Sequence, residues 1–266
     1  MGKVSPWGFA RWDVEQDRVH EMRRIAATRL YNIGLTNLLD EDRIREWCHH
    51  VLDYADAVLI GADNSCHSLL CEKLHDYGPR VTILLVEPWL GATGPLNALV
   101  AKALFEGANE LVLQSSEVWI EKQCIEAMSG YLDEKTLVVG ARISEEHAGS
   151  TGVFPLHGLN SPWNTMALWD LDKLARTGFL GISSGLLNGV PGGMEEVVTI
   201  SLLQHLDPHN CLAKIFKGSR LNWAFSCMGP ERRAIHRVKM RTKYRRAEQQ
   251  LKYLGIPRGQ VIILEE

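Results

Sequence analysis

The chain has 266 residues, of which 45% are hydrophobic and 23% are charged, and its formal net charge is -3. That length suffices for a substantial buried core, and we expect one α/β domain over residues 1–266. The near balance of charge excludes a general attraction to nucleic acid or membranes, so any such contact must depend on a local patch. No run of about 18 apolar residues occurs and the N-terminal residues do not resemble a signal peptide, which predicts a cytoplasmic protein.

The N-terminal part of the chain predicts two helices with a short strand between them. Residues 13–29 are rich in charge with interspersed apolar side chains, which indicates an amphipathic surface helix. Residues 30–35 then predict a first strand. From Asp40, which can cap a helix, apolar side chains recur at helical spacing as far as Ala55.

A unit of strand, polar loop and helix then recurs along the chain. The apolar runs are residues 57–60, 81–86 and 111–113, and the helical patterns that follow them are 66–77, 96–104 and 120–131. Residues 137–141 are apolar throughout, as expected for a parallel strand that is buried on both faces. This alternation predicts an α/β fold with a doubly wound, mostly parallel sheet.

The polar loops after these strands predict a binding site. In doubly wound sheets, ligands bind beyond the carboxyl ends of the strands. We therefore expect residues 61–65, 87–94 and 114–117 to converge on one crevice.

The pattern changes after residue 142, where glycine, proline and serine become frequent. Residues 165–169 predict a strand and 170–177 a short helix, and another strand is predicted at 221–225. Trp163 and Asn164 offer the indole and amide groups that bind sugars by stacking and hydrogen bonding, which makes them candidate acceptor contacts. A turn around a buried tryptophan explains the same residues equally well.

Glu195 and Glu196 open a predicted helix directly after a glycine-rich segment. Two adjacent carboxylates can have different roles, one acting as a general base and the other binding or orienting an acceptor. We assign the base to Glu196 and the acceptor contact to Glu195, with the reverse assignment open. Carboxylates in a first helical turn also stabilise the helix dipole without any catalytic role.

The order and spacing of these motifs resemble the large inverting family of GT-A-fold nucleotide-sugar glycosyltransferases, over about residues 30–255. The Asp-Asn-Ser loop at 63–65 looks like the family's nucleoside loop, and residues 91–97 look like its Gly-x-x-x-x-Leu-Asn helix start. Residues 111–119 match the strand that normally ends in Asp-x-Asp, and Glu195-Glu196 take the place of the acidic pair. The resemblance implies a nucleotide-binding half (30–142), an acceptor half (143–228) and a basic C-terminal helix and tail (229–266).

The resemblance also implies the roles of individual residues. The implied nucleotide-binding residues are Asp63, Ser65, Gly94, Asn97, Ser115 and Ser116. The family uses a divalent cation, Mg²⁺ or Mn²⁺, which prefers carboxylate oxygens. Here Gln114 and Ser116 stand where aspartates are expected, and Glu117 is left as the candidate metal ligand. Asp63 and Glu117 could instead serve only a helix start, as a cap and as a dipole partner.

Residues 231–253 form a basic helical pattern with nine Lys or Arg against two Glu. Three interpretations are open: a solvated surface helix, a replacement for the missing metal ligands, or peripheral contact with an anionic membrane. For the second, the candidate diphosphate contacts are Arg232, Arg233 and Arg237. No motif makes a strong case for nucleic acid.

The sequence therefore predicts an enzyme that moves a sugar from a nucleoside diphosphate donor to a hydroxyl acceptor with inversion. One alternative is a nucleotidyltransferase, but residues 33–36 do not resemble the Gly-rich basic loop of that class. The other is a non-catalytic GT-A-like module that binds nucleotide, glycan or a partner and has lost its metal site.

Overall fold

The computed structural model describes residues 22–31, 41–144, 147–218, 221–223 and 230–265, without the side chains of 41, 222–223 and 230–239. The strands in these ranges are β1 (Arg24–Leu30), β2 (Ala57–Ala62), β3 (Val81–Leu85), β4 (Glu110–Gln114), β5 (Val118–Ile120), β6 (Thr136–Ala141), β7 (Gly152–Pro155), β8 (Met166–Asp170), β9 (Leu212–Phe216), β10 (Leu221–Trp223) and β11 (Gln260–Ile263). The α-helices are α1 (Glu41–Val51), α2 (His67–Lys73), α3 (Thr93–Phe105), α4 (Lys122–Gly130), α5 (Leu171–Ala175), α6 (Glu195–Leu206) and α7 (Pro230–Leu254).

Nine of the described strands form one mixed sheet in the order β3-β2-β1-β4-β8-β6-β9-β11-β7. The pairs β3-β2, β2-β1, β1-β4, β6-β9 and β9-β11 are parallel. β8 runs antiparallel to both β4 and β6, and β7 runs antiparallel to β11. The predicted α/β fold with a large, mostly parallel sheet is confirmed.

The core lies on both faces of the central strands. Every residue of β2, β4 and β6 is buried, including the polar Glu110 and Gln114 at the two ends of β4. Helix α3 packs on β1 and β2 through apolar side chains that include Leu96 and Leu99. Pro95 lies in the first turn of α3, where its missing N–H costs no helical hydrogen bond. None of the helices that the structure describes combines the length and the apolar composition needed to cross a bilayer.

The helix predicted over 13–29 is wrong at its C-terminal end, because Arg24–Leu30 is a strand. Residues 13–21, and most of the strand predicted at 30–35, lie outside the described part of the chain. The charge of Arg24 suggested a solvated helix, but this side chain is buried and its Nε donates to Glu110 at 2.6 Å. A charge that is paired inside a sheet cannot be distinguished by composition from one that faces water.

The strands β9 and β11 were missed by the sequence analysis. β9 contains Lys214, which interrupts the apolar pattern although it is buried. Its ammonium group donates to Asp133 at 2.8 Å and to the carbonyl of Tyr131 at 2.9 Å. The predicted strand at 221–225 is present as β10 over Leu221–Trp223, and 224–225 lie outside the described residues. The proposed division into two halves and a tail remains a prediction.

Candidate functional site

A cavity of about 180 Å³ lies at the carboxyl ends of β1 and β4. Its lining consists of Ala27, Thr28, Arg29, Leu96, Leu99, Leu113, Gln114, Ser115, Asn164, Thr165 and Glu196. Parallel neighbours end at the same edge of a sheet, which brings the ends of β1 and β4 together. Of the three loops predicted to converge, 114–117 contributes to this lining, and convergence of 61–65 and 87–94 on the same site stays a prediction.

The residues before β8 reach the same edge because β8 is antiparallel to β4. Met166, the first residue of β8, pairs with Gln114, the last residue of β4. The two residues before β8 therefore lie at the cavity, and Ser115 N donates to the carbonyl of Thr165 at 2.9 Å. The side chain of Asn164 accepts a hydrogen bond from Trp169 Nε1 at 3.0 Å, while its Nδ2 is buried without a hydrogen-bond partner among the described residues.

Glu196 forms a buried acidic wall of the cavity. Its Oε1 accepts a hydrogen bond of 2.8 Å from Asn164 N. Burial, followed by the charge of Glu195, raises the pKa of Glu196 to about 7, while the bond from Asn164 and the charge of Lys243 act in the opposite direction. A carboxyl group that titrates near neutral pH is suited to accept and release a proton.

Glu195 is also buried, but its carboxylate is held by an ion pair. Arg29 Nη2 donates to Glu195 Oε1 at 3.0 Å, and Arg29 Nη1 donates to the carbonyl of Ala92 at 2.8 Å. Glu195 does not line the cavity, whereas Arg29 does. The two adjacent carboxylates therefore differ: one faces the cavity and the other anchors a cation at its edge.

The backbone before α6 is strained, and α7 holds it in place. Met194 has φ of 66° and Gly193 has φ of 82°. Residues other than glycine rarely adopt this left-handed backbone conformation. A Cβ atom on Gly193 would lie 2.6 Å from Arg246 Nη1, so another residue there would displace this guanidinium group and would also adopt an unfavourable φ. Arg246 Nη1 donates to the carbonyl of Gly192 at 2.8 Å, and Gln250 Nε2 donates to that of Gly193 at 2.8 Å. These bonds fix the direction in which the acidic pair points.

Trp163 directly precedes Asn164, which holds Glu196, and it is buried, with only 3% of its surface exposed. The His147 ring stacks on it at 3.9 Å, and Lys243 Nζ lies 2.9 Å from its ring centre. Two groups this close to one ring centre would overlap on the same face, so they cover opposite faces. Trp163 Nε1 donates to the carbonyl of Gly158 at 3.0 Å. In this arrangement the indole has no face open to a sugar, and acceptor binding by Trp163 stays a prediction.

Gln114 stands where the resemblance leads one to expect an aspartate, and its side chain is used inside the fold. It is 1% exposed, its Oε1 accepts from the hydroxyl of Tyr54 at 2.6 Å, and its Nε2 donates to the carbonyl of Val118 at 2.8 Å. Burial raises the pKa of Tyr54, so the phenol keeps its proton and remains a donor. This amide joins the turn after α1 to the first residue of β5, and both its oxygen and its nitrogen are engaged inside the fold.

The remaining carboxylate of that turn does not reproduce a two-carboxylate metal site. Glu117 is half-buried just before β5, beside the hydroxyl groups of Ser115 and Ser116. Within the ranges that the structure describes, no group of three or more His, Cys, Asp or Glu side chains could hold a metal ion. Among the described residues, this donor set does not fit the two-carboxylate cation site that the resemblance implies, and metal binding by Glu117 stays a prediction.

Asp63 and Ser65 lie in the turn between β2 and α2, outside the lining of the cavity. Ser65 donates to Asp63 Oδ1 through its backbone N at 3.2 Å and through its hydroxyl at 2.6 Å. Cys66 Sγ lies 3.2 Å from the same oxygen. The carboxylate therefore stabilises the turn, and nucleoside binding by these residues remains a prediction.

Asn97 uses its whole amide group to hold a loop. Its Nδ2 donates to the carbonyl of Phe179 at 2.9 Å, and its Oδ1 accepts from Phe179 N at 2.7 Å. Gly94 lies one turn earlier in α3, where a Cβ would approach that of Leu90 to 2.9 Å. Neither residue lines the cavity, and their nucleotide-binding roles stay predictions.

The sequence analysis missed Arg29, Lys243 and His147. Arg29 would have followed from a correct first strand, because the last residues of a parallel strand lie at the ligand-binding edge. Lys243 and His147 carry no local signal, since only the fold brings them to Trp163. Arg232, Arg233 and Arg237 fall in α7, but their side chains lie outside the described part of the chain.

No protein-family model and no curated protein matches this chain. Its structure is similar to that of the mannosyltransferase PcManGT from Pyrobaculum calidifontis in complex with GDP-Man and Mn²⁺, with a TM-score of 0.57 and 15% identity over 90% of this chain and 67% of that one. The fold is of the GT-A type. A second similar structure is 4-diphosphocytidyl-2C-methyl-D-erythritol synthase from Anaerococcus prevotii, with a TM-score of 0.50 and 9% identity over 83% of this chain and 96% of that one. At these identities the likeness establishes the fold alone.

Proposed function

We propose that this protein is a glycosyltransferase that moves a sugar from a nucleoside diphosphate donor to a hydroxyl acceptor with inversion at the anomeric carbon. The observation that carries the proposal is the buried carboxyl group of Glu196 at the cavity wall, with its pKa raised to about 7. The similar mannosyltransferase, which was solved with GDP-Man, supports a nucleotide-sugar donor.

The reaction needs one base at the acceptor and one stabiliser of the leaving group. Glu196 takes the proton of the acceptor hydroxyl while that oxygen attacks the anomeric carbon, and the bond from this carbon to the diphosphate oxygen breaks. Asn164 N holds one oxygen of Glu196, so the other oxygen can receive the proton. The buried Nδ2 of Asn164, which has no partner among the described residues, can donate to a substrate oxygen in the cavity.

The leaving diphosphate needs positive charge, and Arg29 is the described cation that lines the cavity. The hydrogen bonds to Glu195 and Ala92 use two of the five N–H donors of its guanidinium group. Charge-assisted bonds from arginine can stabilise a departing phosphate. Arg232, Arg233 and Arg237 remain further candidates for this role. Because the metal donor set does not fit, we expect donor binding without Mg²⁺ or Mn²⁺.

The function is tested by incubating the protein with a panel of UDP-, GDP- and dTDP-sugars and measuring the nucleoside diphosphate released, with and without simple sugar acceptors. Calorimetric titration with the free nucleoside diphosphates gives binding separately. Release together with a product of opposite anomeric configuration supports the proposal. Binding without release favours the non-catalytic module, and no binding with or without Mn²⁺ contradicts a donor site. Contact of α7 with anionic membranes stays a separate prediction, which sedimentation with vesicles can check.

Replacing Arg29 with methionine is expected to raise the Kd for the bound nucleoside diphosphate about tenfold or more, because charge-assisted hydrogen bonds to the phosphates are lost. Calorimetric titration in the presence of EDTA measures this change. The Kd of Arg29→Lys should lie between those of the unaltered protein and Arg29→Met, since lysine keeps the charge without the planar donor fork.

Arg45→Met is the matched control for the loss of one arginine. Arg45 pairs with Asp76 on the exposed side of α1 and does not line the cavity. We expect this variant to bind the nucleoside diphosphate as the unaltered protein does. Two results would contradict a role for Arg29 in place of a cation. One is that Arg29→Met binds the nucleoside diphosphate as tightly as the unaltered protein does. The other is that EDTA abolishes binding by the unaltered protein and by all the variants.

A further inference from the structure

Lys243 places an ammonium group behind the acidic pair. The residue lies on α7, and its Nζ is 2.9 Å from the ring centre of Trp163. Among the described residues this ammonium has no hydrogen-bond or ion-pair partner besides the aromatic ring. The ring quadrupole of tryptophan stabilises the charged form of this ammonium, while burial acts against it and lowers the pKa of Lys243 to about 7. Its charge therefore acts on its surroundings through space.

The surroundings of Lys243 contain both signs of charge. Glu195 and Glu196 on α6 attract it, and Arg246 on α7 repels it. His147, on the opposite face of Trp163, is neutral because burial lowers its pKa to about 3. Arg29 on β1 is already paired with Glu195. Lys243 and Arg246, both on α7, are therefore the described cations whose charges act on Glu196.

We propose that Lys243 is a positioning residue for the transfer reaction, and that its charge, placed on the face of Trp163, favours the ionised form of the Glu196 carboxyl group, which is the form that accepts a proton. This inference rests on the proposed function, because it concerns the base of that reaction. Lys243 does not line the cavity and is not expected to contact substrate.

The two groups titrate as a linked pair. Burial raises the pKa of Glu196 and lowers that of Lys243, and the attraction between them opposes both changes. The neutral pair and the charged pair are thus close in free energy. Without the lysine charge, burial and the neighbouring Glu195 would be opposed only by backbone hydrogen bonds and by the charge of Arg246, and the carboxyl group of Glu196 would hold its proton to higher pH.

The test is a ¹³C NMR titration of the glutamate side-chain carboxyl groups, with the Glu196 signal assigned by its loss in Glu196→Gln. In Lys243→Met we expect the titration midpoint of Glu196 to rise by about one pH unit or more. Methionine has a similar length and packs well on an aromatic ring, so the site should stay filled. Lys243→Arg keeps a charge at every pH and should leave the midpoint near that of the unaltered protein.

The pH profile of sugar transfer provides the second measurement. In Lys243→Met, the acid limb of this profile should move to higher pH together with the NMR midpoint. In Lys243→Arg it should stay at the pH of the unaltered protein. If Lys243→Met fails to fold, Lys243→Gln supplies the neutral variant. A shifted midpoint in a protein that transfers no sugar would support the charge coupling and contradict the proposed function. An unmoved midpoint in both neutral variants would overturn the coupling, whether or not sugar is transferred.

Discussion

Glu196→Gln is expected to lower the turnover of sugar transfer by about 10²–10⁴-fold, the usual contribution of a general base. The amide has the same shape as the carboxyl group, and its oxygen can still accept the hydrogen bond from Asn164 N. It cannot accept the proton of an attacking hydroxyl. Steady-state kinetics with a saturating donor measures the loss, and the Kd of the nucleoside diphosphate should stay within about twofold because the base does not touch the leaving group.

The pH dependence of the unaltered enzyme follows from the same group. Since the pKa of Glu196 is raised to about 7, the base is protonated and inactive at lower pH. Turnover should therefore fall as the pH drops through this value and should level off above it.

Glu195→Gln is the matched control for Glu196→Gln. It removes a buried carboxylate from the adjacent position, and it leaves the group at the cavity wall intact. Because the charge of Glu195 raises the pKa of Glu196, its removal should also move the acid limb of the profile to lower pH. Turnover that survives in Glu196→Gln but is lost in Glu195→Gln would reverse the assignment.

The fold could largely be predicted from the sequence because buried parallel strands consist of uninterrupted apolar runs. The run at residues 57–60 and the one at 137–141 both appear in the sheet as β2 and β6. Two of the failures, β1 and β9, were strands that carry a paired charge. Arg24 in β1 and Lys214 in β9 are each buried against a carboxylate that is distant in sequence. Local periodicity contains no information about such partners.

The candidate site was predictable only where one segment carries it. Glu195-Glu196 after a glycine-rich turn was visible in the sequence, and the structure places Glu196 at the cavity. The cations that surround this pair come from β1 and α7, which are separated from it by many residues along the chain. The roles of these cations depend on the tertiary structure, and no sequence motif predicts them. The same limit applies to Gln114, whose amide looked like a lost metal ligand and proves to be a buried hydrogen-bonding link.

Gln114→Glu is expected to lower the free energy of unfolding by about 3–5 kcal/mol at pH 8, the cost of leaving a buried charge without a partner. The new carboxyl group still accepts from the hydroxyl of Tyr54, but it no longer donates to the carbonyl of Val118. Burial should raise its pKa above the value in the unfolded chain, so the stability of the variant is best below about pH 4 and falls as the pH rises. Urea unfolding at pH 5 and pH 8 should therefore show the smaller loss at pH 5.

Ser116→Asp provides the control, because it adds the same charge to a half-buried turn two residues along the chain. We expect it to cost less than about 1 kcal/mol, as most substitutions at incompletely buried positions do. Mn²⁺ distinguishes the structural role of Gln114 from a vestigial metal site. If a cation could use position 114, Mn²⁺ would bind the Gln114→Glu carboxylate and restore its stability at pH 8. We expect no such recovery, because the side chain points to Tyr54 and Val118 inside the fold, and recovery would mean that this residue can turn toward the cavity.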